Sequence, residues 1–471
     1  MNNYKLQFKL KQHTPIIHFQ HDQYGATFRA SELKPKLDKF LIKIFEEKGV
    51  AYKEWLVGKG DHPALDYKLK ITSESQMING VESNKTFFGG MGHKGEKEYT
   101  WDNEPFDLFI FSINNELRKK IKEYFRYFLA ETNFGTRQTK GNGSFYIDKS
   151  DTDNFIDIEK VLPSGTFYIS ITQTDDKSIS QIIDYYYKRL KAGINLNFDN
   201  RCTGEYNKSF LFQYFNSLTE KGWEKRYIKE KFFGLYDDGK EKYFIRTLLG
   251  LPGSFIYKKT QEPCHKKADK KVNSTYEILD DYEIEVYHPE IERYKSPIIF
   301  KPIKYGDKTN IFILPQVNDT INTNKKFEFY KNIVLKTITE KNGYLFIKQL
   351  AIVPQRLGTA KSEIESFIGK LETQESKIDI YIEQINKMTD FKKKKKLTKD
   401  LNDYIKGQKN RFDKFISECV LIDNIYFPPK CEIDIPKSSL DLNSLIKKYN
   451  EDELANSFSV ENINAKINKI N

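Results

Sequence analysis

The order in which two kinds of hydrophobic period follow one another limits the fold of this chain more than any other feature. Tyr4 to Leu10 alternates, with Leu6, Phe8 and Leu10 on one side, as a half-buried strand does. From Ser31, a helix N-cap candidate, to about Lys48, the residues Leu33, Leu37, Phe40, Leu41, Ile44 and Phe45 fall on one helical stripe, with Pro35 tolerated in the first turn. Leu65, Tyr67, Leu69 and Ile71 alternate again, and Phe106 to Ile113 is apolar enough for a central strand. Leu117, Ile121, Tyr124, Phe125 and Phe128 then share a helix face, and Ser144 to Ile147 closes the series as a strand. The order is strand, helix, strand, strand, helix, strand.

That order is the split βαβ pattern of the ferredoxin-like fold, which is also the architecture of RNA-recognition motifs. Thr166 to Thr172 starts a second strand pattern, followed by a helix carrying Ile179, Ile182, Ile183, Tyr186 and Leu190. Strands return at Tyr282–Tyr287, Ser296–Ile303, Ile311–Leu314 and Gly343–Ile347. Residues 361–422 are helical in pattern, with five lysines, Lys392 to Lys396, between two halves of a hairpin. From Lys437 onward the chain is polar and reads as a docked short helix or a partly disordered tail. The expected fold class is α+β. Its expected parts are a first ferredoxin-like domain (1–160), a second with insertions (161–355), and a helical hairpin with a C-terminal segment (356–471).

The connection Phe134 to Phe145, FGTRQTKGNGSF, joins the second helix to the last strand of the first unit. Gly135, Gly141 and Gly143 permit positive φ and close backbone approach, and Arg137 and Lys140 add two cations with no carboxylate between them. Open amides beside fixed cations suit a phosphate, so the functional reading is a nucleic-acid backbone clamp; the alternative is a flexible turn with two solvated charges. The 77 Lys and Arg against 66 Asp and Glu, a net +11, favour a polyanionic partner.

The loop matches, at Gly135, Arg137, Lys140, Gly141, Gly143 and Ser144, the pattern G-G-x-G-x-[RK]-x-x-[RK]-G-x-G-[ST] of the RAMP superfamily of CRISPR proteins, with Asn133 and Phe134 in place of the leading glycines. Within that superfamily the chain resembles the first subunit of the Cmr (type III-B) effector. His13-Thr14-Pro15 followed by Arg29 and SELKPKL is similar to the family's first-strand and first-helix segment, with Lys34-Pro35 where Lys-Gly is usual. FIRTLLGLP, Phe244 to Pro252, and RYKSPIIFKPI, Arg293 to Ile303, resemble two later segments in the same order. The resemblance implies a non-catalytic subunit at the head of the effector, near the 3′ end of the guide RNA. The implied partners are guide RNA, target RNA and other Cmr subunits. Its implied RNA contacts are Arg29, Lys34, Lys36, Gly135, Arg137, Lys140, Gly141, Gly143 and Ser144.

The alternative is a metal-independent RAMP endoribonuclease that processes precursor guide RNA with a histidine such as His18 as acid or base. His13, His18 and His21 are the tightest histidine cluster, with His93 further on, but no second catalytic group accompanies them. No HExxH or CxxC spacing supports a metal, and no Walker loop, GxSxG elbow or dinucleotide fingerprint supports a cofactor. Cys202, Cys264, Cys419 and Cys431 are scattered as in a reducing compartment, no signal segment or membrane span is visible, and a cytoplasmic, non-enzymatic protein is expected.

Overall fold

A computed structural model describes residues 4–16, 28–58, 64–72, 104–195, 206–219, 242–251, 282–291, 294–316, 325–332, 334–341, 344–351, 430–435, 440–453, 457–460 and 463–471, together with shorter runs between 222 and 427. The first unit contains β1 (Lys5–Gln12), α1 (Ala30–Glu47), β2 (Lys68–Thr72), β3 (Phe106–Phe111), α2 (Asn115–Glu131) and β4 (Phe145–Ile147). Its strands lie in the order β2-β3-β1-β4, every neighbour antiparallel. Both expected helical stripes bury against this sheet: Leu33, Leu37, Leu41 and Phe45 from α1, and Leu117, Ile121, Phe125 and Phe128 from α2. Asn114 caps α2 by accepting from the Leu117 amide at 2.9 Å. Ser31 does not cap α1. The helix starts at Ala30, one residue earlier, and Arg29 stands at the cap position without a side-chain bond to the helix amides.

The second unit repeats the plan over a longer stretch. Its elements are β5 (Phe167–Ile171), α3 (Asp176–Lys191), β6 (Ile298–Tyr305), β7 (Lys308–Pro315), α4 (Leu442–Lys448), β8 (Ser457–Val460) and β9 (Ile463–Lys469). The sheet order is β6-β7-β5-β9-β8, the first unit's order with one strand added at the edge. The chain is therefore an α+β protein with two ferredoxin-like sheets. The polar tail expected after Lys437 supplies α4 and the closing strand, since Ile467 of β9 pairs with Ile169 of β5. Alternation explains this: Ile463, Ala465 and Ile467 point inward while Asn464 and Lys466 stay at the surface.

A third, four-stranded sheet is drawn from the insertions, in the order Ser254–Tyr257, Tyr282–Tyr287, Phe327–Asn332, Lys430–Ile433. Phe244, Phe327 and Phe329 lie in its own small core. Of the expected helical hairpin, most residues lie outside those described. Lys392 to Lys396 are helical and largely exposed, with Asp390 accepting from the Lys392 and Lys393 amides, while Val420–Ile422 is a strand rather than helix.

The two main units share a core. Ile299, Ile303, Phe312 and Leu314 of the second unit pack among the buried residues of the first. Polar bonds reinforce the junction, and they converge on one loop.

Candidate nucleic-acid interface

The connection from α2 to β4 is held in shape by its own backbone. Gly135, Gly141 and Gly143 all have positive φ, and Gln138–Lys140 forms a single 3-10 turn. Two of these glycines are required by space. A Cβ on Gly143 would stand 1.9 Å from the Phe134 carbonyl oxygen, and one on Gly141 would stand 2.8 Å from Ile183 Cδ1 and 2.9 Å from Pro302 Cγ. Arg137 is also left-handed, at φ 55°, the one non-glycine residue with positive φ among the described residues. For an L residue that conformation costs about 1–2 kcal/mol, so the loop's closure fixes where the Arg137 side chain leaves it.

The segments that were separate in sequence meet here. The Thr14 hydroxyl donates to Gly141 O at 2.6 Å and accepts from the Ser144 amide at 2.9 Å; the Gly143 amide donates to Pro15 O at 2.8 Å. On the other side, the Ser144 hydroxyl donates to Pro302 O at 2.7 Å and the Asn133 amide group to Phe300 O at 2.8 Å. Lys301 is fully buried and donates to Thr132 O at 2.8 Å and Phe145 O at 2.9 Å. The LGLP segment is tied to the segment before β6 by the Leu251 amide, which donates to Tyr294 O at 2.9 Å. The first-strand HTP, the glycine loop and the S-P strand thus form one junction between the two sheets.

This geometry changes the expected roles. The amides of Gly135, Gly141, Gly143 and Ser144 are bonded within the protein, to Glu32, Gln138 O, Pro15 O and Thr14 respectively. They build the loop rather than offer themselves as an open phosphate nest. Lys140 turns inward, its ammonium 3.1 Å from the centroid of the Tyr187 ring, and burial draws its pKa down to about 7, with Asp184 opposing and Lys191, Arg137 and Lys188 adding to the fall. Lys34 bonds to Asp38 at 2.8 Å and Leu65 O at 2.9 Å and lies over Tyr67.

Lys36 and the glycine loop are brought together, with Arg29 at the start of the same helix. Glu32, in the first turn of α1, accepts from the Gly135 amide and from Lys36 at 2.7 Å each, and Lys36 also donates to Asn133 O at 3.1 Å. The start of α1 and the loop are therefore one surface. Burial lowers the Lys36 pKa against the pull of Glu32, and Lys295 lowers it further. Burial also lowers Lys295, with Lys39 adding to the fall. Lys36, Lys295 and Lys39 thus lie near enough for each to bear on the next. Sequence reasoning missed Lys39, Lys188, Lys191 and Lys295. The signal available was lysine spacing on α3 and beside the S-P strand, but nothing in the sequence said that these would face the loop.

His13 is buried, and its Nδ1 accepts from the Lys304 amide at 3.0 Å, which leaves it no place as a solvent-facing acid or base. Burial, with Lys301, Lys11 and Lys304 nearby, holds its pKa well below the usual imidazole value. His18, His21 and His93 lie outside the described residues. Cys431 is buried. Among the described residues no cluster of three metal-ligating side chains occurs, and no helix is long and apolar enough to cross a membrane.

Comparison with known proteins agrees with the sequence resemblance. A family model described as the Cmr1 N-terminal domain matches residues 3–194, and one described as the Cmr1 C-terminal domain matches residues 206–418. Among solved structures, the crystal structure of Cmr1 from Pyrococcus furiosus in its apo form is 12% identical and aligns over 73% of this chain and 94% of that one with a TM-score of 0.34, a likeness too slight to argue from. No curated protein matches.

Proposed function

The chain belongs to the Cmr1 family, subunits of the type III-B Cmr complex, and on that footing we propose that it is a non-catalytic RNA-binding subunit of the effector. In this reading it caps the complex near the guide RNA 3′ end and helps to engage target RNA in antiviral defence. The observation that carries the proposal is the seam where α1 meets the glycine loop: Glu32 holds both Lys36 and the Gly135 amide, Arg29 starts the same helix, Arg137 lies in the same loop, and Lys295 lies close enough to lower the Lys36 pKa. Contacts of that kind hold phosphates and read no bases, so binding is sequence-independent and weakens with salt. Lys140, Gly135, Gly141, Gly143 and Ser144 serve by fixing the loop. Lys34 serves by anchoring α1.

The test is binding of a labelled guide-like RNA to the full-length chain carrying Arg29→Ala and Arg137→Ala, across a salt series. Two lost phosphate contacts on single-stranded RNA reduce the slope of log K against log salt by about 1.4. An unchanged affinity and slope would remove the seam from the RNA path.

A further inference from the structure

The first sheet has a second face that α1 and α2 do not cover. On it, Phe109 and Phe111 occupy successive outward positions of β3, alternating with the buried Leu108 and Ile110. Their ring centroids are 6.4 Å apart at 41°. The register sets lysines beside them. Phe111 pairs with Lys5 of β1 on one side and Lys68 of β2 on the other; Phe109 pairs with Gln7 and Lys70. Lys68 and Lys70 are exposed, and Lys5 holds its ammonium 3.9 Å from the centroid of Phe109. Among the described residues none of Lys5, Lys68 and Lys70 has an ion-pair partner. Asp107, a step further along β3, accepts from Gln7 at 3.2 Å.

Two rings on the inner strand of a four-stranded sheet cost free energy when left to water, and a strand that needs only to be solvated has no use for them. A protein partner would be met by an apolar patch with a mixed polar rim. Here the rim is cationic and the centre is two π faces, which matches a chain of bases joined by phosphates. We infer that the open face of the first sheet is a stacking platform for single-stranded RNA, with Phe109 and Phe111 each taking a base and Lys5, Lys68 and Lys70 taking the phosphates between and beside them. A duplex keeps its bases paired inside, so it cannot use the rings. This surface is separate from the seam of α1 and the loop, and its argument does not depend on that seam.

The experiment compares the full-length chain with F109L/F111L, in which leucine keeps the strand but removes the π faces. Fluorescence anisotropy measures affinity for a labelled oligouridylate and for a duplex RNA of equal length. The platform predicts a loss of roughly tenfold or more for the single strand with the duplex unchanged, while K68Q/K70Q lowers the salt slope for the single strand. Unchanged affinity for oligouridylate in F109L/F111L overturns the inference, as does an equal loss for single strand and duplex. So does unchanged RNA binding with failure to enter the type III-B complex, which would make this face a subunit contact. Because Arg29 and Arg137 are intact in these variants, failure here leaves the seam standing, and failure of the seam variants leaves the platform standing.

Discussion

Lys140 keeps its ammonium 3.1 Å from the centre of the Tyr187 ring, so a cation from the glycine loop of one unit is capped by an aromatic from the helix of the other. The π face favours the charged form, but burial outweighs it and leaves the pKa at about 7. Between pH 7 and the usual lysine value the unfolded chain holds a proton that the folded chain has given up, so stability rises with pH across that window and sits at its low plateau below about 7. Lys140→Met removes this contribution. Its melting temperature is expected to exceed that of the wild type by roughly 2–4 °C at pH 6 and to converge with it toward pH 10. A constant difference across pH would show that the ammonium is not enclosed.

His13 has the same sign at lower pH. Its folded pKa lies well below 6.5, chiefly through burial. The unfolded chain gains a proton as pH falls below that value and the folded chain does not, so stability is lost on acidification. His13→Asn keeps an acceptor where Nδ1 meets the Lys304 amide and takes the titration away. Urea midpoints measured from pH 7 to pH 4.5 are expected to fall less steeply in the variant.

Lys301 satisfies two carbonyls, Thr132 O and Phe145 O, in the first unit from a strand of the second. Lys301→Met preserves the stem and removes the donor, leaving both acceptors unpaired at a cost of about 1–3 kcal/mol. The urea midpoint is expected to drop with the slope unchanged, because the surface exposed on unfolding is the same.

The glycines of the loop differ in kind. Gly143→Ala places a Cβ against the Phe134 carbonyl and breaks the bond between the Phe134 amide and Gly143 O, costing about 3 kcal/mol or more. Gly141→Ala meets side-chain atoms of Ile183 and the Pro302 ring rather than backbone, so it adds a milder clash to the cost of about 1–2 kcal/mol for a left-handed alanine. Thermal denaturation of the two variants should rank them in that order, and equal effects would contradict the packing at Phe134.

Periodicity made most of the first sheet legible, because each strand and helix there buries a single face and the pattern shows it. The loop was legible as well, since only glycine spacing of that kind permits three positive-φ turns within nine residues. What its amides bond to was not legible. A glycine announces a backbone angle, whereas the acceptors at Glu32, Pro15 O and Thr14 come from elsewhere in the chain. Lys140 read as a free cation for the same reason, Tyr187 being 47 residues away and on another unit. The closing strand read as a tail because only Ile463, Ala465 and Ile467 of its seven residues are apolar and inward, fewer than a strand buried on both faces would show. The junction itself follows from motif order only in hindsight of the fold.

β5 and β9 lie side by side although Ser170 and Asn468 are 298 positions apart. During synthesis, the first sheet has all its strands once residue 147 has left the ribosome, but β5 must wait with one flank bare while the insertions are made. An unpaired strand of that composition, FYISI, is a template for stray pairing. The second sheet therefore cannot close until β9 has been made, and a pairing across 298 positions is of the long-range kind that forms slowly.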